Sequence, residues 1–236
     1  MRSAFIVALA FVAAAPALTA QAAPQTCPEV PRWTVGQVDN YHGTQVTDPY
    51  RWLENVDSDS TRRWIEAENC RTFAWLAQIP ERDAIRQRLT RLWNYERYGI
   101  PGRQGGRYIW GKNDGLQNQS VLYWQRALTD EPRLLMDPNR LSDDGTVALS
   151  GSDVSDDGRY FAYSTSSGGS DWQEFHVREI ESGRDLPDHL RWIKFSGLSW
   201  SHDNAGFFYS RFPTPEGNEL TSVVRNQRLY FHRLGT

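Results

Sequence analysis

Two strand patterns recur in the same order through the second half of this sequence, at an interval of about 50 residues. The first is a glycine turn that opens an aromatic strand, at residues 106–110, 158–162 and 206–210. The second is an apolar and aromatic run, at residues 122–124, 175–177 and 229–231. A repeat of this length with several strands per unit is typical of β-propeller blades, each a small four-stranded sheet. The pattern therefore predicts a propeller-like all-β region, with a β-sandwich as the alternative.

The predicted turns have the composition that tight strand connections require. Asp-Asp-Gly occurs at residues 143–145 and 156–158, and Asp-Asn-Ala-Gly at 203–206. In each case acidic or amide side chains precede a glycine that can adopt a positive φ. These turns therefore favour short antiparallel strands.

Two amphipathic helices are predicted ahead of the strands. Ser58, Asp59 or Ser60 can cap the first helix, which Pro80 ends, and the second follows from Glu81. Apolar or small residues recur on one face of each helix: Trp64, Ala67, Cys70, Ala74 and Ala77, then Ile85, Leu89 and Leu92. Residues 28–50 lack a helical period and are expected to be extended over a surface. The apolar faces of two such helices need a larger domain to cover them.

The N-terminus has the features of a secretory signal peptide over residues 1–22. A positive start is followed by an apolar run of about a dozen residues and by the small-x-small site 20–22. A membrane anchor would need about 20 apolar residues, and Pro16 interrupts this run. We therefore expect a periplasmic or secreted protein that does not remain in the membrane. In an oxidising compartment Cys27 and Cys70 can pair, or both can stay free.

Charge and motif content exclude several functional classes. The chain has 26 Lys and Arg against 29 Asp and Glu, without a basic tract, so nucleic acid is not an expected partner. The sequence contains no H-E-x-x-H motif, no local Cys/His cluster and no Asp-rich calcium loop. We expect no metal and no cofactor.

Five stretches resemble the prolyl oligopeptidase family of serine peptidases, from about Val35 to the last residue. They are DPYRWLE at 48–54, YERYGIP at 95–101, GLQNQS at 115–120, LSDDGTVALS at 141–150 and GSDW at 169–172. In this family a β-propeller lies over the mouth of an α/β-hydrolase domain. After the signal peptide predicted above (1–22), the resemblance implies an extended and helical segment of the peptidase domain (23–94) and an incomplete propeller (95–236).

The length limits how much of such a propeller is present. About seven blades would need on the order of 315 residues, whereas about 140 residues follow Trp93. The expected fold is therefore mainly β, a partial seven-bladed β-propeller of about two and a half blades. The helical segment before it would pack on an α/β-hydrolase domain absent from this chain.

The resemblance implies the N-terminal portion of an exported prolyl oligopeptidase, a serine endopeptidase that cuts short peptides on the carboxyl side of proline. Its partners would be short proline-containing peptides and the C-terminal hydrolase domain of the same protein, in a parent that is a monomer. The Ser-Asp-His triad would lie in that domain, so this fragment alone is expected to be inactive. The alternatives are an oligopeptidase of the same architecture that cuts after basic residues, and a non-catalytic propeller that binds peptides or glycans.

Two local patterns imitate catalytic motifs, but we assign no catalytic residue. Ser170 follows glycine in GGSDW at residues 168–172, but Trp172 replaces the last glycine of a nucleophile elbow, and a strand is predicted to follow. The run Ser-His-Asp at 201–203 cannot form a triad, because neighbours on a turn do not point together. Both stretches are interpreted as loops between strands.

One residue is assigned to substrate binding, Phe195. The run 192–200 resembles the family's propeller segment whose phenylalanine faces the active-site cavity and lines a distal apolar subsite. The alternative is a strand phenylalanine packed between blades. In the 48–54 motif we expect a structural role: Trp52 and Leu53 bury against the hydrolase domain, while Arg51 and Glu54 make bridging hydrogen bonds.

Overall fold

The computed structural model describes residues 26–29, 36–219 and 222–236. The predicted signal peptide, residues 1–22, lies outside the described residues. The chain divides into two compact units, residues 1–86 and 87–236, whereas the sequence predicted a boundary between residues 94 and 95. Within the described ranges, no helix combines the length and the apolar composition that a membrane crossing needs.

The first unit contains a β-hairpin that the sequence analysis did not predict. Strands β1 (Gln37–Tyr41) and β2 (Thr44–Asp48) pair antiparallel, with Tyr41 opposite Thr44. The two-residue loop between them has φ of 54° at His42 and 94° at Gly43. Positive φ at both loop positions matches the twist of the flanking strands, which is why such loops close hairpins. Residues 28–50 were expected to be extended, and the two strands of the hairpin are extended, but their pairing was not predicted.

The two predicted helices are present, close to their predicted bounds. After a short 3₁₀ helix at Arg51–Glu54, α1 spans Asp59–Ala77 and α2 spans Arg82–Trp93. Ser58 is the N-cap of α1, and its hydroxyl accepts a hydrogen bond of 3.2 Å from the Thr61 amide. This bond satisfies one of the amides left open at a helix start.

A disulfide bond joins Cys27 to Cys70, with 5.6 Å between their Cα atoms. It connects the described residues 26–29 to the middle of α1. Of the two possibilities left open by the sequence, the structure has the paired one.

Beyond the end of α2, the described residues of the second unit form three successive antiparallel sheets, here called blades. Blade 1 contains β3 (Arg97–Tyr98), β4 (Gly102–Gln104), β5 (Arg107–Asn113), β6 (Val121–Gln125) and β7 (Arg133–Met136). Blade 2 contains β8 (Val147–Val154), β9 (Tyr160–Ser167), β10 (Gln173–Glu179) and β11 (Arg184–Ile193). Blade 3 contains β12 (Ser199–Trp200), β13 (Gly206–Arg211) and β14 (Arg228–Arg233). Strand order follows the chain in blades 2 and 3, while in blade 1 both β3 and β4 pair with β5.

The sequence repeat corresponds to one hairpin in each blade. The first pattern begins β5, β9 and β13, and the second falls in the strand that pairs with each of them, β6, β10 and β14. Ile109 lies opposite Trp124, Ala162 opposite Val177, and Phe208 opposite Phe231. The prediction of a mainly β chain with a partial propeller is therefore confirmed.

Successive residues of β9 supply two different apolar cores. Phe161 and Tyr163 pack with Trp124 and Leu135 of blade 1, while Ala162 packs with Phe207 and other residues of blade 3. This division follows from the pleat, which points neighbouring side chains to opposite faces of a sheet. Both faces of blade 2 are therefore covered by its neighbours.

The turns of adjacent blades also touch each other. Gly158 has a φ of 71°, and a Cβ built there would lie 1.9 Å from the Gly105 carbonyl oxygen. The Asp157 amide donates a bond of 3.2 Å to Asn204 Oδ1 in the next turn. The β4–β5, β8–β9 and β12–β13 turns thus form a row of contacts across the three blades.

The GLQNQS stretch links blade 1 to blade 2 through Gln119. Its Nε2 donates to the Val147 carbonyl at 3.0 Å, and its Oε1 accepts from the Leu149 amide at 2.9 Å. One side chain thereby satisfies two backbone groups of β8. This stretch has a structural role in the described part of the chain.

A buried hydrogen bond between side chains links blades 2 and 3. Asp188 of β11 has a fully buried side chain, and its Oδ1 lies 2.6 Å from Nε2 of His232 in β14. The Gly235 amide donates to the same oxygen at 2.8 Å. The sequence did not single out either residue, since the contact depends on how two distant strands pack.

Candidate functional site

Phe195 lies in the loop that joins β11 to β12, and its side chain faces solvent. The residue is 74% exposed and has a φ of 52°. A bulky residue in the left-handed region is uncommon, and such residues persist where the surroundings impose the conformation. In the described part of the chain Phe195 does not pack between blades.

Hydrogen bonds from blade 3 fix the backbone on both sides of Phe195. Ser196 Oγ accepts from the Ser210 amide at 2.8 Å, and Gln227 Nε2 donates to the Lys194 carbonyl at 3.1 Å. Gln227 also reaches Ser210 Oγ at 3.0 Å. The phenyl ring is therefore presented to solvent from an anchored loop.

Beside this loop, Trp172 of the GSDW stretch is the centre of an aromatic cluster. Its ring meets those of Trp192 and Phe212 edge to face, with centroids 5.8 and 6.2 Å apart. The Lys194 ammonium lies 4.1 Å from the centre of the Trp172 ring, a cation–π contact. The Trp172 indole nitrogen donates to the Glu219 carbonyl at 3.0 Å. Lys194, which directly precedes Phe195, therefore packs on an aromatic base centred on Trp172.

Two open cavities share Trp172 as a wall. One, of about 340 Å³, is lined by residues 212–216 and 222–226. The other, of about 670 Å³, lies between the β9–β10 turn and residues Arg191, Trp192 and Glu219. Phe195 is not among the described residues that line either cavity. The subsite predicted for Phe195 is therefore an exposed surface in this chain, and its role stays a prediction.

Ser170 lies in the turn between β9 and β10. Its hydroxyl accepts from the Trp172 amide at 3.1 Å, and its amide donates to the Ser167 carbonyl at 3.0 Å. A nucleophile elbow connects a strand to a helix, whereas this turn connects two antiparallel strands. The interpretation of this stretch as a loop agrees with the structure.

The Ser-His-Asp run at 201–203 forms the turn between β12 and β13. Ser201 Oγ donates to Asp203 Oδ1 at 2.6 Å, while Nδ1 of the fully exposed His202 lies 2.9 Å from Asp156 Oδ2. The serine and histidine therefore bind different carboxylates, and the run has no triad geometry.

Glu174, His176 and His189 form a cluster that sequence reasoning missed. One potential ligand atom from each residue lies within 4.8 Å of the others. Glu174 and His176 belong to β10, and His189 lies opposite His176 in β11. Strand register brings the residues together, so no local motif could have revealed the cluster.

The DPYRWLE stretch forms an ion-pair cluster around Arg51. Its guanidinium contacts Asp39, lies 2.9 Å from Asp48 and 3.3 Å from Glu54. The hydrogen bond from Arg51, and then the bond from the Tyr50 amide, hold the pKa of Asp48 below its usual value. Arg51 thereby connects the β1–β2 hairpin to the 3₁₀ helix, a structural role.

Three sheets with equivalent hairpins, packed face to face in chain order, define the second unit as part of a β-propeller domain. The model of the family described as prolyl oligopeptidase, N-terminal beta-propeller domain, matches residues 28–236. The chain is 42% identical over 203 residues to a prolyl endopeptidase of Elizabethkingia meningoseptica, and 36% identical over 219 residues to prolyl oligopeptidase A of Amanita bisporigera. These matches cover 86% and 81% of this chain. The chain belongs to the prolyl oligopeptidase family.

Solved structures of similar proteins share the fold. One of two prolyl endopeptidases analysed for inter-domain dynamics in catalysis and specificity has a TM-score of 0.79 and 31% identity, over 90% of this chain and 31% of its own. Prolyl oligopeptidase B from Galerina marginata, bound to a 35mer hydrolysis and macrocyclization substrate, has a TM-score of 0.75 and 32% identity, over 91% of this chain and 33% of its own. This chain spans 28% of the length of each of the two sequence relatives named above.

Proposed function

We propose that this chain is the N-terminal portion of a prolyl oligopeptidase that hydrolyses short peptides on the carboxyl side of proline. The observation that carries the proposal is the 42% identity to a prolyl endopeptidase over 86% of this chain. On this proposal the catalytic serine, aspartate and histidine lie in an α/β-hydrolase domain encoded beyond Thr236. There the serine attacks the peptide carbonyl, the histidine moves the proton, and backbone amides stabilise the oxyanion.

Phe195 would bind a side chain of the peptide upstream of the cleaved proline. Its exposure and its anchored loop support this role, because an apolar ring held in place loses little conformational entropy on binding. The aromatic base formed by Trp172 would keep the ring in position. The blades as a whole would restrict access to short peptides.

We also propose that the protein is exported to the periplasm or secreted. The signal-peptide pattern of residues 1–22 supports export. The disulfide between Cys27 and Cys70 supports it independently, since such bonds persist in oxidising compartments. Mass spectrometry of the mature protein would test both points, with cleavage after Ala22 and an oxidised Cys27–Cys70 pair as the expected result.

The first test is the coding sequence that follows Thr236. An open frame with further blades and a Gly-x-Ser-x-Gly elbow is expected, whereas further blades without a hydrolase domain would favour a binding propeller. The full-length product should then cleave chromogenic peptides after proline and leave matched peptides with lysine or arginine intact. The reverse preference would establish the basic-residue alternative.

The same cleavage assay on the chain of residues 1–236 tests whether the catalytic triad lies outside it. We expect no cleavage of the proline peptide by this chain at concentrations where the full-length enzyme is active. Cleavage that copurifies with the shorter chain would contradict the proposed position of the triad.

A further inference from the structure

The outer hairpin of blade 2 places three potential metal ligands on one face. Glu174 and His176 are two residues apart on β10, so their side chains point to the same side of the sheet. His189 is the register partner of His176 on β11, and the two imidazole rings stack with centroids 4.8 Å apart. The arrangement therefore comes from strands that the hydrogen bonds of the sheet hold in register.

The donor set suits a divalent transition metal such as Zn²⁺. Imidazole nitrogen and carboxylate oxygen bind zinc at about 2.0–2.2 Å, and three protein ligands with one open position form a common zinc site. The three ligand atoms lie within 4.8 Å of one another, so side-chain rotations alone can bring them around one ion. Calcium and magnesium prefer oxygen ligands and are less suited to a site with two imidazoles.

The existing contacts leave the ligand atoms accessible to a metal ion. His189 Nε2 and Glu174 Oε2 lie 2.7 Å apart, within hydrogen-bond distance, and a metal ion would replace this contact and release any proton between them to solvent. Arg191 Nε donates to the other oxygen, Glu174 Oε1, at 3.1 Å. That contact can remain when Oε2 binds a metal and would orient the carboxylate, as partners of metal ligands commonly do.

The His176 ring is held in place by stacking and makes only a long hydrogen bond. It is half-buried and stacks on Tyr163 with centroids 5.3 Å apart. Its Nε2 lies 3.5 Å from the Thr165 hydroxyl, the long limit of a hydrogen bond.

We propose that Glu174, His176 and His189 form a binding site for Zn²⁺ that fastens β10 to β11, the last strand of blade 2. The ion takes one carboxylate oxygen and two imidazole nitrogens, with the fourth position open to water. Zinc binding at this site can be measured without any substrate.

The test is a titration of Zn²⁺ into the full chain, carried out without a histidine tag and after treatment with a chelator. Competition with a chromogenic chelator should show one saturable zinc per chain. The variants His189→Ala and Glu174→Gln should each weaken binding at least about tenfold, the loss typical of a damaged metal site. Both variants alter a partly or fully exposed position and leave the half-buried His176 in place.

His202→Ala is the matched control, since His202 is also an exposed histidine beside a carboxylate. This variant should bind zinc as the wild type does. Zinc should also raise the Tm of the wild type and of His202→Ala, with a smaller rise for His189→Ala. Absence of saturable binding by the wild type, or equal affinity of His189→Ala and the wild type, would overturn the proposal.

Discussion

Glu181 of blade 2 pairs with three arginines of blade 1. It lies in the turn between β10 and β11, and its carboxylate contacts Arg107, Arg126 and Arg133 of blade 1 at 2.9, 2.6 and 2.7 Å. The hydrogen bond from Arg126 is the main cause that lowers the pKa of Glu181 to about 2. Two of these guanidinium groups also lie 4.5 Å from the centre of the Trp124 ring. A single carboxylate therefore holds three cations in place over the core.

We predict that Glu181→Gln lowers the free energy of unfolding at pH 7 by about 1 kcal/mol, a value kept small because the carboxylate is partly exposed and screened by solvent. A lowered folded-state pKa stabilises the fold above the ordinary value of 4.5 and ceases to do so as the pH falls towards about 2. Urea titrations at several pH values should therefore show that the difference in unfolding free energy between Glu181→Gln and the wild type shrinks as the pH falls from 4.5 to about 2. Glu131→Gln, an exposed glutamate of the same region, should change stability by less than about 0.5 kcal/mol.

For Phe195 we predict a change in substrate preference, tested in the full-length enzyme. Phe195→Ala should lower kcat/KM about tenfold for peptides with an apolar residue two positions before the proline, since one apolar contact of this kind discriminates by about 10–200-fold. A shorter peptide that lacks this residue is the matched control and should be cleaved at the wild-type rate. Equal losses on both peptides would mean that Phe195 acts on the fold or the triad and does not form the subsite.

At the scale of the element, the turn row explains why a glycine is needed at position 158 of the repeat. Gly158 combines a φ of 71° with a Cβ position 1.9 Å from the Gly105 oxygen of the neighbouring blade. Gly168, in the β9–β10 turn, has a φ of 60° but nothing within 4 Å of its Cβ position. The two glycines thus differ in whether a neighbouring blade occupies the position that a Cβ atom would take.

The prediction is that Gly158→Ala destabilises the protein by at least about 2 kcal/mol more than Gly168→Ala. Both variants place a side chain in the left-handed region at about 1–2 kcal/mol, but only Gly158→Ala also forces two blades apart. Thermal and urea unfolding of the two variants would measure the difference. Equal destabilisation would show that the turns of adjacent blades do not need their close contact.

The sequence predicted elements well where one local signal decided them. The Ser58 cap, the two helices and the three repeated hairpins were recognisable because each depends on a few neighbouring residues. The β1–β2 hairpin was missed because His42-Gly43 is a less familiar turn pair than Asn-Gly. The Glu174 cluster and the pair of Asp188 and His232 were missed for a different reason: register and blade packing, which bring distant residues together, cannot be read from local patterns.

At the scale of the whole molecule, large apolar side chains are exposed in both units. On α2 the predicted stripe of Ile85, Leu89 and Leu92 is 53, 56 and 49% exposed. On blade 3, Phe208 and Phe231 are 45 and 41% exposed, and their tilted rings have centroids 4.9 Å apart. Exposed apolar patches of this kind mark surfaces that another part of a protein or a partner covers. They agree with the proposal that further blades and a hydrolase domain complete the enzyme.

The two units are stabilised in different ways, because the disulfide bond lies in the first unit. Cys27 and Cys70 are 43 residues apart, and closing a loop of that length stabilises a fold by about 4 kcal/mol in the chain-entropy model. Both cysteines belong to the unit of residues 1–86. The blades depend instead on the apolar cores between their sheets.

We therefore predict that Cys70→Ser, or reduction by a thiol reagent, lowers the free energy of unfolding of the first unit by about 2–4 kcal/mol and leaves the second unit nearly unchanged. Hydrogen exchange resolved by peptide would show faster exchange in α1 and in the β1–β2 hairpin, with the protection of β8 to β11 retained. Ser60→Ala, which alters a hydroxyl of the same helix start and leaves the disulfide intact, serves as the control. Faster exchange spread evenly over both units would show that they unfold as one cooperative body, and that the N-terminal disulfide stabilises the blades as well.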